Sequence, residues 1–355
     1  VSAPLELAWF AALCDDDSEF LGVPDARLQS SYPHCREIAL RAERGGFDNC
    51  LLPSGYALGI DGIAFAGGLA PFLERMRLLV AVRCGELWPP QLARQLATLD
   101  RMLGGRLTIN IISSDLPGAP LPQEPRYART LEVMQVLRAL LDGKPVSHRG
   151  DFYQLDLDPP RVRTCSGRCP PFYFGGLSEP AREVAARAAD VYLMWPDRMP
   201  AVRELLADMR ARAARHGRRL RFGYRVHVIV RESEAEARAA ARRLVSRLDA
   251  ESGEAIRRRS LDHASAGVRR QAEVREGADA EGYAEENLWT GIGRARSGCG
   301  AALVGDPDQV AAKLGSYAEL GIEAFILSGY PHAQECDLFA RYVLPRLQHA
   351  PLRFA

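Results

Sequence analysis

Short apolar runs alternate with longer segments whose apolar residues recur every three or four positions, and the alternation continues along nearly the whole chain. The short runs predict strands at 5–13, 48–53, 77–85, 106–114, 171–176, 190–196, 221–231 and 323–329. Helical spacing follows each strand, near 31–46, 61–73, 89–103, 126–142, 179–188, 199–216, 233–249 and 334–347. An unbroken series of strand-then-helix units predicts an α/β fold, a (β/α)8 TIM barrel, as a single domain over 1–355. A doubly wound sheet would show a glycine-rich fingerprint after its first strand, and none stands there.

Two insertions interrupt the series. Residues 143–169, after the fourth helix, carry turn and strand signals, and residues 250–322 separate the seventh unit from the eighth strand. Within the second, 251–283 is rich in Arg, Glu, Ala and Gly with few large apolar side chains, so it buries little and is expected as a mobile lid over the barrel mouth.

Charge narrows the range of partners. The formal net charge of +1 gives no global field for nucleic acid or an anionic membrane. The arginine run 210–221 is interleaved with Ala and Leu on a helix, the pattern of a solvated face. The 8 cysteines (14, 35, 50, 84, 165, 169, 299, 336) are scattered, several inside apolar runs, as in a reducing compartment. Cys165 and Cys169 have no further Cys or His at metal spacing, so no metal site is expected. The apolar stretch Leu5–Leu13 lacks a basic leader and runs into Asp15, Asp16 and Asp17, which points to a cytoplasmic protein with no membrane partner.

Candidate chemistry concentrates in the seventh strand, RFGYRVHVIV at 221–230. Strand side chains alternate, so Tyr224, Val226, Val228 and Val230 suit the covering helices, while Gly223, Arg225, His227 and Ile229 face the interior. A buried guanidinium without a counter-charge costs several kcal/mol, roughly, and is kept for a buried carboxylate or for an anionic ligand. Polar and aromatic residues also mark other strand ends: Asn110 and Ser113 on the fourth, Trp195 on the sixth, and Tyr330 and His332 after the eighth. Catalytic residues of such barrels lie at these ends. Gly175 and Gly176 lead into a helix with Ser178 as its cap, a place where free amides can hold a phosphate.

Arg221–Glu232 (RFGYRVHVIVRE), Asn287–Gly293 (NLWTGIG), Ala302–Asp306 (ALVGD) and Leu327–His332 (LSGYPH) resemble the alkanesulfonate monooxygenases of the bacterial luciferase-like flavin family. So do Ala93–Asp100, Phe172–Gly176 and the opening Trp9 and Phe10, in the same order along about 8–348. The resemblance implies a two-component, FMNH2-dependent monooxygenase. A separate NAD(P)H:FMN reductase supplies reduced FMN, O2 is the oxidant, and a small anionic organic substrate, an alkanesulfonate, yields aldehyde and sulfite. It further implies a homodimer or homotetramer. Arg225, His227 and Tyr330 match residues that hold the sulfonate at the flavin edge, Trp195 matches an aromatic of the same pocket, and Arg296 matches a mobile arginine that closes over it. Asn110, Ser113, Tyr127 and Ser178 match positions that contact the FMN ring or phosphate, with Gly176 beside them.

The chain also departs from that pattern. The family's active-site cysteine aligns with Leu58, a first-loop histidine with Asp16, and a histidine shortly before Tyr127 with Gln123. Leu58 and Asp16 thus stand where substrate is selected. An acidic loop beside an anion pocket implies a substrate that also carries a cationic or hydroxyl group. The alternative left open is a luciferase-like oxygenase of natural-product biosynthesis acting on a non-sulfonate.

Overall fold

In the computed structural model, which describes residues 4–57, 59–258 and 265–354, eight parallel strands close on themselves. They are β1 (Glu6–Phe10), β2 (Asn49–Leu52), β3 (Arg77–Arg83), β4 (Leu107–Ile112), β5 (Phe172–Gly175), β6 (Val191–Met194), β7 (Arg221–Val230) and β8 (Ala324–Ser328). Closure is made by β8 on β1, with Glu6 opposite Ala324, and by β6 on β7, with Val191 opposite Arg221. Every strand expected from the sequence is present, and the (β/α)8 barrel stands.

Both faces of each strand are covered, which is why the runs are apolar almost throughout. One set of alternate residues, including Ala8, Phe10, Leu51, Leu79, Tyr173 and Ile326, packs inside the barrel. The other, including Trp9, Leu52, Val80, Tyr224, Val226 and Val228, packs against the helices. At the N-terminal end the interior is shut by a polar layer: buried Glu6 accepts from the Tyr173 hydroxyl (2.6 Å) and from the backbone amide of Leu352 (3.0 Å). The opposite end of the barrel holds the cavity described below.

The surrounding helices are α1 (Tyr32–Gly45), α2 (Gly62–Leu69), α3 (Pro89–Met102), α4 (Gln123–Leu141), α5 (Glu179–Ala188), α6 (Met199–Arg215), α7 (Glu234–Leu244), α8 (Ala250–Arg258), α9 (Ala266–Glu276), α10 (Pro307–Leu320) and α11 (His332–Tyr342). The insertion at 143–169 contains an antiparallel ribbon, Val146–Arg149 against Gln154–Leu157. Its turn is held by Glu132 of α4, whose carboxylate accepts from the amides of Asp151, Phe152 and Tyr153.

The segment 250–322 is more than an insertion. Ala302–Gly305 adds a parallel strand beside the outer half of β7, and α10 follows it with a capping box from Asp306 and Gln309. Tyr317 of α10 stacks on Tyr224 of β7 at 4.4 Å, so α10 covers the barrel wall there. The helix α7 packs on the end of β7 and on the added strand together: Ala237, Ala241, Ile229 and Val304 share a cluster. The arrangement follows from β7 itself. At ten residues it is long enough to pair with β6 along its first half and with the added strand along its second. The segment expected as a mobile lid contains α8 and α9, and residues 259–264 of it lie outside the described residues.

Candidate active site

A cavity of about 460 Å³ opens at the C-terminal ends of the barrel strands. At one end stand Phe10, Arg225, Arg296, Cys299 and Trp195, and at the other Ser113, Tyr127, Gly176 and Ser178. Asn110 and Ile326 also line it.

Arg225 projects inward from β7 and is 6% exposed. Its Nη1 donates to the carbonyls of Val226 (3.0 Å) and Ile326 (3.3 Å), and its Nη2 to Ser328 Oγ (2.7 Å). Those three bonds leave two of the five guanidinium N–H groups without a partner among the described residues. The guanidinium lies over the Phe10 ring at 4.5 Å, and Arg296 lies over the same ring at 6.0 Å. Arg296 donates through Nη1 to the Tyr330 hydroxyl at 2.7 Å. Among the described residues no carboxylate comes within 4.0 Å of either guanidinium. Burial, with Arg296 adding to it, pushes Arg225 below the ordinary guanidinium value. Two enclosed cations with no salt bridge among the described residues, Arg296 feeling the charge of Asp15 from farther off, form a site for an oxyanion, and the unused N–H pair of Arg225 suits a planar fork of acceptors.

His227 also points inward but sits behind this pocket, fully buried and absent from its wall. Its Nε2 faces the Cys299 carbonyl at 3.2 Å and its Nδ1 faces Ser328 Oγ at 2.6 Å. Burial, then the charges of Arg225 and Arg296, hold the imidazole well below its ordinary value, so it is neutral. Tyr330 stacks on His227 (ring centroids 5.4 Å apart) and reaches the cavity only through Arg296. Thus of the four residues expected to do chemistry, Arg225 and Arg296 border the cavity, while His227 and Tyr330 support them from behind.

At the other end, α5 presents its N-terminus to the cavity. Ser178 caps it, accepting from the amide of Ala181 at 3.4 Å. Glu179, in the first turn, would repel an anion if it faced inward, but its carboxylate is turned out to Arg182 and Arg212. Gly176 has φ +154°, and a Cβ there would fall 2.6 Å from Ala181 Cβ and 3.5 Å from the Tyr127 hydroxyl, so only glycine keeps this wall open. Ser114 Oγ and Arg126 Nε are buried on the cavity wall with no partner among the described residues. Unpaired polar atoms just past β4 and in the first turn of α4, lining the same cavity as the capped start of α5, fit the phosphate and ring of a flavin mononucleotide. Asn110, Ser113, Tyr127, Gly176 and Ser178 all border this space.

Trp195 lies against the second insertion: a Cβ on Gly267 would fall 2.8 Å from its indole, and one on Gly298 3.4 Å away. Asp16 does not border the cavity. Its carboxylate accepts from the amide of Ser30 at 2.8 Å and folds the first loop. Leu58 lies outside the described residues. The loop around it packs on Cys14, which lines the cavity and whose thiol is pushed up by burial.

Sequence reasoning overlooked Cys14, Cys299, Asp17 and Ser328 as parts of this site. Asp17 accepts from the amide of His332 (3.0 Å) and from its ring (2.8 Å), anchoring the first loop behind Tyr330. Ser328 had a signal: in the β7–β8 register it stands opposite His227.

The profile of the family described as luciferase-like monooxygenase matches residues 20–324. The chain is 66% identical over 354 residues, 98% of each chain, to a sulfoquinovose monooxygenase of Novosphingobium aromaticivorans. It is 49% identical over 353 residues, covering 99% of this chain and 91% of the relative, to a sulfoquinovose monooxygenase of Agrobacterium fabrum. In fold it resembles the EDTA monooxygenase of Chelativorans sp. BNC1, with a TM-score of 0.77 at 18% identity, covering 98% of this chain and 94% of the other.

Proposed function

The chain belongs to the luciferase-like monooxygenase family, and from that membership we propose that it is the oxygenase of a two-component system that desulfonates sulfoquinovose. Reduced FMN, supplied by a separate NAD(P)H-dependent reductase, would provide the two electrons by which O2 is split between product and water. The sulfonated carbon of the sugar becomes an aldehyde and sulfite departs.

The observation that carries this reading is the pair Arg225 and Arg296 in one cavity, neither of them within 4.0 Å of a carboxylate among the described residues. The free N–H groups of Arg225 hold the sulfonate, Arg296 closes on it, and both stabilise negative charge as sulfite forms. Phe10 and Trp195 keep water from the reacting carbon. Ser178, Tyr127 and the unpaired groups of Ser114 and Arg126 hold the FMN phosphate, with Asn110 at the ring. His227 stays neutral and acts through Arg225 rather than on substrate.

A hexose sulfonate rather than a plain alkanesulfonate is supported by the two relatives, both sulfoquinovose monooxygenases. The test is sulfite release in a reductase-coupled assay, with sulfoquinovose set against short and long alkanesulfonates. Sulfoquinovose is expected to give the highest kcat/KM. Oxygen-dependent turnover of a non-sulfonate with no sulfite from any sulfonate would favour the natural-product alternative.

A further inference from the structure

Arg225, Ser328 and His227 form a buried chain in which the direction of every hydrogen bond can be assigned. A backbone carbonyl only accepts, so at the Cys299 carbonyl it is His227 Nε2 that donates (3.2 Å). The neutral ring then has a bare Nδ1, and the contact at 2.6 Å must run from the Ser328 hydroxyl to the imidazole. The same hydroxyl oxygen accepts from Arg225 Nη2 at 2.7 Å. Ser328 is 0% exposed, as is His227. The register of β7 against β8 sets Ser328 opposite His227 and Ile326 opposite Arg225, so one hydroxyl is shared by both interior side chains.

We propose that Ser328 is a positioning residue of the anion site: accepting from Arg225 and donating to His227, it aims the guanidinium's unused edge at the cavity and decides which imidazole nitrogen carries the proton. Alanine cannot serve here. It would leave His227 Nδ1 and one Arg225 N–H unpaired in the interior, and the guanidinium would turn toward another acceptor. The position demands a group that donates and accepts at once, which an apolar side chain of similar size does not provide. The kinetic consequence rests on the sulfonate reading above, whereas the state of the ring does not.

Two measurements test it. In full-length protein with 15N-labelled histidine rings, the His227 signal is assigned by its absence in His227→Asn. The wild type is expected to show the Nε2–H tautomer with a strongly hydrogen-bonded Nδ1. In Ser328→Ala the Nδ1 resonance moves to that of a nitrogen without a donor, and in Ser328→Thr it stays. An unchanged spectrum in Ser328→Ala overturns the proposal. In the sulfite assay, Ser328→Ala raises KM for the sulfonate about tenfold or more, with a smaller change in kcat. Ser328→Thr, which retains the hydroxyl, stays within about threefold of wild type on the same reasoning. Equal damage in both variants means that Ser328 only fills space and also overturns it. Where Ser328→Ala does not fold, Ser328→Cys, similar in size with a weak donor, carries both measurements. Wild-type protein that turns over no sulfonate would sink the proposed function, and the ring spectrum would still decide the role of Ser328.

Discussion

Replacing Arg225 by alanine removes the centre of the anion site without touching the groups assigned to flavin. Two unit charges about 4 Å apart attract by about 4 kcal/mol at an effective dielectric near 20. Truncating one member of a buried, hydrogen-bonded charge pair costs roughly 2–5 kcal/mol. With two N–H groups of Arg225 available to the sulfonate, kcat/KM for sulfoquinovose is expected to fall roughly 30- to 4,000-fold. The stability change is smaller because its parts oppose each other. The carbonyls of Val226 and Ile326 and the hydroxyl of Ser328 lose their donor, while an unpaired buried charge disappears. Arg225→Lys keeps the charge but cannot reach three acceptors and a sulfonate together, so it recovers only a minor part of the loss. The assay is initial-rate sulfite release with saturating FMNH2, alongside anaerobic FMNH2 titration. Binding of FMNH2 within about twofold of wild type, with kcat/KM collapsed, is the expected pattern for a loss confined to the charge pair. Arg225→Ala enzyme that keeps kcat/KM within about threefold would refute the reasoning, since a charge-pair loss is far larger.

Ser178→Ala removes a helix cap and a group at the phosphate end, so FMNH2 affinity is expected to fall while stability drops by about 1 kcal/mol; flavin titration and urea unfolding read the two effects. Gly267→Ala places a methyl 2.8 Å from the Trp195 indole, and the displaced ring should raise KM for sulfonate and alter tryptophan emission, with unchanged kinetics counting against a role for Trp195. His227 is neutral in the fold and has a reference value near 6.5 when unfolded, so its depressed folded pKa gives stability that is present above about pH 6.5 and lost as pH falls below it. His227→Gln should flatten the acid limb of urea-unfolding stability, and an identical limb in the variant would assign it to other groups.

The fold was legible because barrel strands buried on both faces leave conspicuous apolar runs, and all eight stood out. Ala302–Gly305 and α10 were harder, since a four-residue strand among small residues and glycines lacks the run of large apolar side chains that marks a barrel strand. The Asp306–Gln309 capping box was the cue that a helix begins there. Alternation along β7 correctly turned Arg225 and His227 inward. It did not show that one borders the cavity and the other lies behind it, because depth along a barrel axis depends on strand tilt and register. The partnership of Ser328 with both is a register effect across about a hundred residues of sequence. Asp16 misled for a related reason: three adjacent aspartates look alike in sequence, yet one folds the loop through Ser30 while Asp17 anchors His332.

A crystal structure of the protein with FMN and sulfoquinovose bound is the most direct test. The sulfonate oxygens are expected within hydrogen-bond distance of the free N–H groups of Arg225 and of Arg296, with the sulfonated carbon facing the flavin ring and the phosphate at Ser178 and Tyr127. A sulfonate bound elsewhere, with both guanidiniums facing only water or protein, would contradict the account.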